Sequence, residues 1–374
     1  MRKAVIVGYA RSAFHFANKG LLTRVRPDEM VSSVVRGLVE QLNLEPEDIE
    51  DLILGCAFPE GEQGLNMARL VVLMAGLPKT VSGVTVNRFC GSSMQSIHMA
   101  AGAIALGAGD LYVCGGVESM SRVPIMGFNP MPSPELMKMM PEAYIGMGDT
   151  AENVASKFKI SRQAQEQFAV TSHAKASAAQ LEGRLKDEII PVAGIDQDGC
   201  IRVGTTPGDL ASLKPAFDEN GSVTAGTSSP LTDGASVVIV CSEEYAERQK
   251  LAPLGGIKSV AVAGCLPELM GMGPVHASQK ALERAGLSIE DIDVFELNEA
   301  FASQAIACID QLGIDPAKVN LDGGAIALGH PLGATGARIT GKAAAVLKRQ
   351  GGKYALATQC IGGGQGIATI VEAI

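Results

Sequence analysis

Short apolar runs alternate along this chain with longer stretches whose apolar residues recur at helical spacing. Ala4–Val7 is a continuous apolar run and predicts a buried first strand. Within Glu29–Leu42, the residues Met30, Val34, Leu38 and Leu42 fall on one face of a helix. Ile49–Leu54 predicts a second strand, Ser92–Leu106 a helix rich in Ala and Met, and Leu111–Cys114 another strand. A similar order recurs later, with a helix around Ala277–Ala285, a turn, a strand at Val294–Leu297, and a further strand at Tyr354–Thr358. This alternation predicts an α/β fold.

Two turns are alike. Leu44–Asp51 reads LEPEDIED and Leu287–Asp293 reads LSIEDID, each between a helix and a strand. The likeness fits an internal duplication into two βα halves; a chance recurrence of an acidic turn is the competing reading. Ser119–Ser229 interrupts the pattern. It holds a Met- and Pro-rich stretch from Met126 to Met147, including Met131, Met137, Met139 and Met140. Flexible thioethers suit an adaptable lid over an acyl chain, and equally a core packed under a long loop. Asp149–Gln180 follows as a long amphipathic helical region.

Composition narrows the function classes. A length of 374 residues exceeds one simple core and predicts two packed units, and 47% hydrophobic against 19% charged residues argues against disorder. The net charge of −9 carries no basic stripe, which argues against nucleic-acid binding. The eight cysteines form no Cys-x-x-Cys pair, so neither a zinc site nor a small disulfide scaffold is expected. Reduced thiols in a cytoplasmic enzyme fit better. Met1–Gly8 lacks the long apolar core of a signal peptide, and no apolar run suits a membrane span.

Four segments can carry chemistry. In Val84–Met94 a β-branched strand runs into Cys90-Gly91-Ser92-Ser93 and then a helix, placing a thiol where a helix N-terminus favours thiolate. His330 sits in Gly329-His330-Pro331 after Gly323-Gly324, a fixed loop that leaves an imidazole free to take a proton or to donate to an oxyanion. Cys360 opens Cys360-Ile361-Gly362-Gly363-Gly364, where exposed N–H groups can bind an anionic oxygen. This run lacks the Lys-Ser/Thr of a phosphate loop and the dinucleotide fingerprint. Asn298-Glu299 ends a strand before a helix, a position at which α/β sites collect and at which Asn also caps helices.

Together these segments resemble the thiolase family over nearly the whole chain. Asn298–Ala302, Gly329–Pro331 and Cys360–Gly364, in that order, carry the likeness, with Thr224–Ser229 and Met147–Asn153 adding to it. The resemblance implies two pseudo-symmetric βα halves in a five-layer α-β-α-β-α sandwich with an inserted loop domain. The halves would span 1–118, with a return segment at about 230–251, and 252–374; the loop domain would span 119–229. Cys90 would be acylated. His330 would activate it and, with a water held by Asn298, bind the thioester oxygen of the carbanion-forming group. Cys360 would move the α-proton. The N–H groups of Cys90 and Gly362 would form a second oxyanion hole.

Coenzyme A is implied as co-substrate, with no permanently bound cofactor and no metal. Ser229 would touch the pantetheine arm, Arg202 the adenine or phosphates, and Met147, Phe301 and Met270 the pocket wall. Gly146, where short-chain biosynthetic members carry His, and Pro230, where Gly is usual, depart from the acetoacetyl-CoA-specific pattern. Asn87–Gln95 looks like the degradative branch, which cleaves 3-ketoacyl-CoA in fatty-acid β-oxidation. The alternatives are the reverse Claisen condensation, an acetoacetyl-CoA-specific acetyltransferase, a ketoacyl-synthase-like condensing enzyme, against which Cys360 in its glycine loop argues, and, in another class, a non-catalytic acyl or lipid carrier. The family implies a homodimer or homotetramer, and for some members a place in a larger β-oxidation complex.

Overall fold

The computed structural model describes residues 2–374. Among the described residues, ten strands form one mixed sheet: β1 (Ala4–Arg11), β2 (His15–Phe16), β3 (Ile49–Gly55), β4 (Ser82–Val86), β5 (Leu111–Ser119), β6 (Thr232–Ser242), β7 (Gly255–Gly264), β8 (Val294–Leu297), β9 (Tyr354–Ile361) and β10 (Gln365–Glu372). The longer helices are α1 (Pro27–Gln41), α2 (Met67–Met74), α3 (Ser92–Leu106), α5 (Met147–Lys157), α6 (Arg162–Leu181), α9 (Gly273–Ala285), α10 (Ala302–Leu312) and α12 (Leu332–Gln350). Short helices are α4 (Pro134–Met139), α7 (Pro207–Ala211), α8 (Glu243–Arg248) and α11 (Ala325–Leu328).

The strand order is β4-β3-β5-β6-β1-β7-β10-β9-β8, with β2 on β6. β1 and β7 touch only through Val5–Gly256 and Ile6–Gly255, so the sheet is two sub-sheets joined at a narrow seam. Their pairings match. β3 runs parallel to β4 and β5, and β6 is antiparallel to β5 and β1. β8 runs parallel to β9, and β10 is antiparallel to β9 and β7. Even the outer place taken by β4 has a counterpart, a parallel bridge from Phe295 to Val319. The two similar turns lie between α1 and β3 and between α9 and β8, as 3-10 turns at Pro46–Asp48 and Ile289–Asp291. The duplication is therefore a property of the fold.

Strand alternation builds the layers. On β1, Val5 and Val7 pack with α1 and α2, whereas Ala4 and Ile6 pack with α3 and α12. On β9, Ala355 and Ala357 meet the α3–α12 layer, whereas Leu356 faces the α9–α10 side. The result is five layers, with α3 and α12 buried between the sub-sheets. Close approach of β5 to the N-terminal end of α12 needs glycine: a Cβ on Gly116 would lie 2.0 Å from the Gly333 carbonyl oxygen. A buried ion network clamps α12. Lys342 meets Glu188 at 2.6 Å and Asp322 at 3.0 Å, and Arg11 meets Glu188 and Asp198 at 2.7 Å each.

Two expectations change. The single helical region Asp149–Gln180 is broken: Lys159 has φ +55°, and Ser161 caps α6 by accepting the Ala164 N–H. The Met-rich stretch is not core packing. Met131 and Met139 are 83% and 74% exposed, and only Met147 reaches an inner cluster. Smaller shifts occur at element ends; α1 starts at Pro27, whose fixed φ suits a first helical turn.

Candidate functional site

Cys90 lies in the tight turn between β4 and α3. The Asn87 side chain accepts the Phe89 N–H at 2.8 Å, the Arg88 N–H donates to Ser92 Oγ at 2.9 Å, and Phe89 takes φ +43°. Gly91 caps α3, and a Cβ there would come within 2.6 Å of Ile361. The Gln359 amide donates to the Cys90 carbonyl oxygen, tying this turn to β9. Cys90 itself remains half-buried. Burial pushes its thiol up to about 12, with the Glu118 charge adding to the effect, while the N–H groups of Gly362 and of Cys90 itself oppose it. Loss of hydration favours the neutral thiol, opposite to the thiolate-favouring pull of a helix N-terminus.

His330 comes from the other side of the seam, on the loop between α11 and α12. Its N–H donates to Thr232 Oγ1 at 3.0 Å; Nδ1 lies 2.6 Å from Thr335 Oγ1, and Nε2 lies 3.4 Å from Asn298 Nδ2. Burial, with Arg338 nearby, lowers the imidazole to about 3, so the ring is neutral. Asn298 is anchored by its N–H on the Thr358 carbonyl at 3.0 Å, and its buried Oδ1 has no partner. That orphaned acceptor suits a bound water or ligand. The neighbouring Glu299 accepts from Ser172 Oγ at 2.7 Å, Asn320 Nδ2 at 2.7 Å and the Ile326 N–H at 3.1 Å, holding the loop that leads to His330.

Cys360 is buried near the end of β9, in a cluster with Ala151, Val223, Met270, Ala300 and Phe301, against which Met147 packs. Burial raises its thiol well above the usual range, and a charge on Cys90 would raise it further. Gly362 follows, and Gly363 and Gly364, at φ +76° and +78°, turn the chain so that the Gly362 N–H faces the Cys90 sulfur. Glu118 supports both halves: its carboxylate accepts the N–H groups of Ala57 at 2.8 Å, Phe58 at 3.2 Å and Gly333 at 2.8 Å, and the Gln63 amide at 2.8 Å.

Among the residues expected to touch the cofactor, Met147, Met270 and Phe301 share the Cys360 cluster. Ser229 stands beside it, its N–H on the Ala300 carbonyl at 2.9 Å. Arg202 is not drawn to that cluster by any contact; its guanidinium lies over the Phe16 ring, 5.4 Å from the centroid. Phe217 was missed by sequence reasoning. Its ring packs edge-on to Phe301 at 5.9 Å and is 45% exposed. A lone aromatic in the polar run Lys214–Asn220 was the available signal, in a chain with only 4% aromatic residues. Thr335 and Glu118 were also missed, and no local motif marks them.

Two surface clefts, of about 360 and 460 Å³, lie along α6 and α10 and beside α5; neither is lined by Cys90, His330 or Cys360. Among the described residues, no group of three or more His, Cys, Asp or Glu could hold a metal ion, and no helix is long and apolar enough to cross a membrane.

Residues 4–244 match the family model described as the thiolase N-terminal domain, and residues 251–373 match the thiolase C-terminal domain. The chain is 49% identical to a 3-ketoacyl-CoA thiolase of Bacillus subtilis over 389 aligned positions, covering 100% of both chains. It is 47% identical to the 3-ketoacyl-CoA thiolase of Vibrio vulnificus, again over 100% of both chains. It is 46% identical to that of Marinobacter nauticus, over 100% of this chain and 99% of the relative.

Proposed function

Because the chain belongs to the thiolase family, we propose that it cleaves 3-ketoacyl-CoA with coenzyme A, giving acetyl-CoA and an acyl-CoA shortened by two carbons. The observation that carries this reading is the tie between the Cys90 turn and β9 on either side of Cys360, through the Gln359 amide on the Cys90 carbonyl oxygen and Gly91 against Ile361, with the Gly362 N–H toward the Cys90 thiol.

The chemistry follows from these groups. His330 Nε2 takes the Cys90 proton as the sulfur attacks the 3-keto carbon. The N–H groups of Cys90 and Gly362 receive the resulting oxyanion. The C2–C3 bond breaks, leaving the acyl group on Cys90 and an acetyl-CoA enolate. Its oxygen is met by protonated His330 and by a water on Asn298. Cys360 gives its proton to the enolate carbon, and acetyl-CoA leaves. The Cys360 thiolate then takes the proton of an incoming CoA thiol, whose sulfur attacks the acyl carbon. Cys90 departs and regains the proton held by His330. Splitting the reaction at an acyl-enzyme gives a ping-pong cycle.

Met147, Met270, Phe301 and Ser229 line the acyl and pantetheine path in this reading, and Arg202 serves the distal end of coenzyme A. Thiolysis in β-oxidation is the assigned direction. The halves are 1–118 with 230–251, and 252–374, around a loop domain at 119–229. The free edge of β4 and the exposed Leu70, Leu73 and Met74 of α2 favour a homodimer formed across that edge. All eight cysteines are unpaired, which favours a reducing, cytoplasmic setting.

The test is CoA-dependent loss of 3-ketoacyl-CoA absorbance with acetoacetyl-CoA and 3-ketooctanoyl-CoA. Cleavage of the longer ester supports the proposal. Cleavage of acetoacetyl-CoA alone moves the enzyme to the acetyltransferase branch, and cleavage of neither refutes a catalytic role.

A further inference from the structure

The neutral ring of His330 has two tautomers, and only one leaves Nε2 free to act as a base. Thr335 stands at the other ring nitrogen, with its Oγ1 2.6 Å from Nδ1 and 2.9 Å from the carbonyl oxygen of Pro331. A hydroxyl has one proton, and a carbonyl oxygen can only accept. The Thr335 hydroxyl donates to the Pro331 carbonyl, the back-bond common for threonine in a helix, which leaves a lone pair facing Nδ1. In that arrangement Nδ1 carries the ring proton. On the far side of the ring, Nε2 lies 3.4 Å from the Asn298 side-chain amide. Thr335 is fully buried, so no bulk water can replace its hydroxyl.

We propose that Thr335 is a positioning residue that holds His330 as the Nδ1–H tautomer, presenting Nε2 as the base for Cys90. Its hydroxyl touches no reacting atom and acts through the imidazole, as partners behind a ligating or catalytic histidine generally do. The catalytic consequence rests on the role given to His330 above; the tautomer does not.

The test uses full-length enzyme labelled with nitrogen-15 histidine. Five histidines make the spectrum tractable, and a His330→Asn variant assigns the signal. Wild type and Thr335→Ser are expected to show the Nδ1–H pattern, and Thr335→Val to shift toward Nε2–H. In steady state, Thr335→Val is expected to lose about 10- to 100-fold in kcat with little change in KM, and Thr335→Ser to stay close to wild type. An Nε2–H pattern in the wild type overturns the proposal, whether or not the valine variant folds. A valine variant with an unaltered tautomer overturns it too. If His330→Asn retains full turnover while the tautomer pattern is as expected, the assigned mechanism fails and the tautomer assignment stands.

Discussion

The backbone N–H of Gly362 meets the thiol of Cys90 across the junction between the two halves of the fold. Cys90 stands at the end of β4 in one half, and Gly362 follows β9 in the other. His330 reaches the site from the loop before α12, and Asn298 from the end of β8. Neither half alone holds a nucleophile, a base and the paired N–H groups. Duplication placed corresponding loops face to face, and catalytic side chains come from loops that rigid strands position.

The neutral Cys90 thiol sets a pH dependence. A raised pKa populates the protonated form over a wider range, so thiolate in the free enzyme grows only toward alkaline pH. Inactivation by iodoacetamide should rise steadily from pH 7 to 10 at Cys90. A rate that levels off below pH 8 contradicts this.

Gly91 is required for space, since its own φ of −83° is open to any residue. A Gly91→Ala side chain would press on Ile361 at 2.6 Å and Ile367 at 3.2 Å. The expected cost is about 1–3 kcal/mol of stability, with reduced kcat because Cys90 is displaced from Gly362. Urea denaturation and steady-state kinetics on the same preparation check both effects.

Glu118 accepts from the N–H groups of Ala57, Phe58 and Gly333, the Gln63 amide and the Cys56 thiol. Glu118→Gln keeps the shape but turns an NH₂ group toward N–H groups that have no other acceptor. A loss of about 1–3 kcal/mol is expected, with slower acylation as the Gly333 end of α12 loosens. Unchanged stability would show that the carboxylate does not hold these segments together.

The ion network around α12 predicts sensitivity to acid. Burial alone would raise the carboxyl pKa of Glu188, but Lys342 and Arg11 hold it below the usual range. Asp322, also buried, is held low by Arg349 and Lys342. Groups with depressed folded pKa values contribute stability above their unfolded values, near pH 4, and lose it as pH falls through the folded ones. Thermal midpoints should therefore fall below about pH 4. Lys342→Met should blunt that fall while lowering stability at neutral pH by about 3–5 kcal/mol.

Much of this was legible in the chain. The loops of Cys90, His330, Cys360 and Asn298 carry glycine, proline and capping residues in local runs, and local runs can be read. The two acidic turns hinted at the duplication because their helices and strands recur beside them. What could not be read depends on packing between distant segments. The helix N-terminus favours a Cys90 thiolate, whereas the burial that raises its pKa comes from residues far away in sequence. The break at Lys159 hides in a helix-compatible pattern. Exposure of Met131 and Met139 follows from the absence of a facing element, and Phe217 gains meaning only beside Phe301.

The most direct test of the central claim is mass spectrometry of the enzyme mixed with a short acyl-CoA and no free coenzyme A, followed by proteolysis. The expected result is one acyl adduct on the peptide containing Cys90, absent in Cys90→Ser and discharged on adding CoA. An adduct on Cys360 instead, or full turnover by Cys90→Ser, would contradict the account.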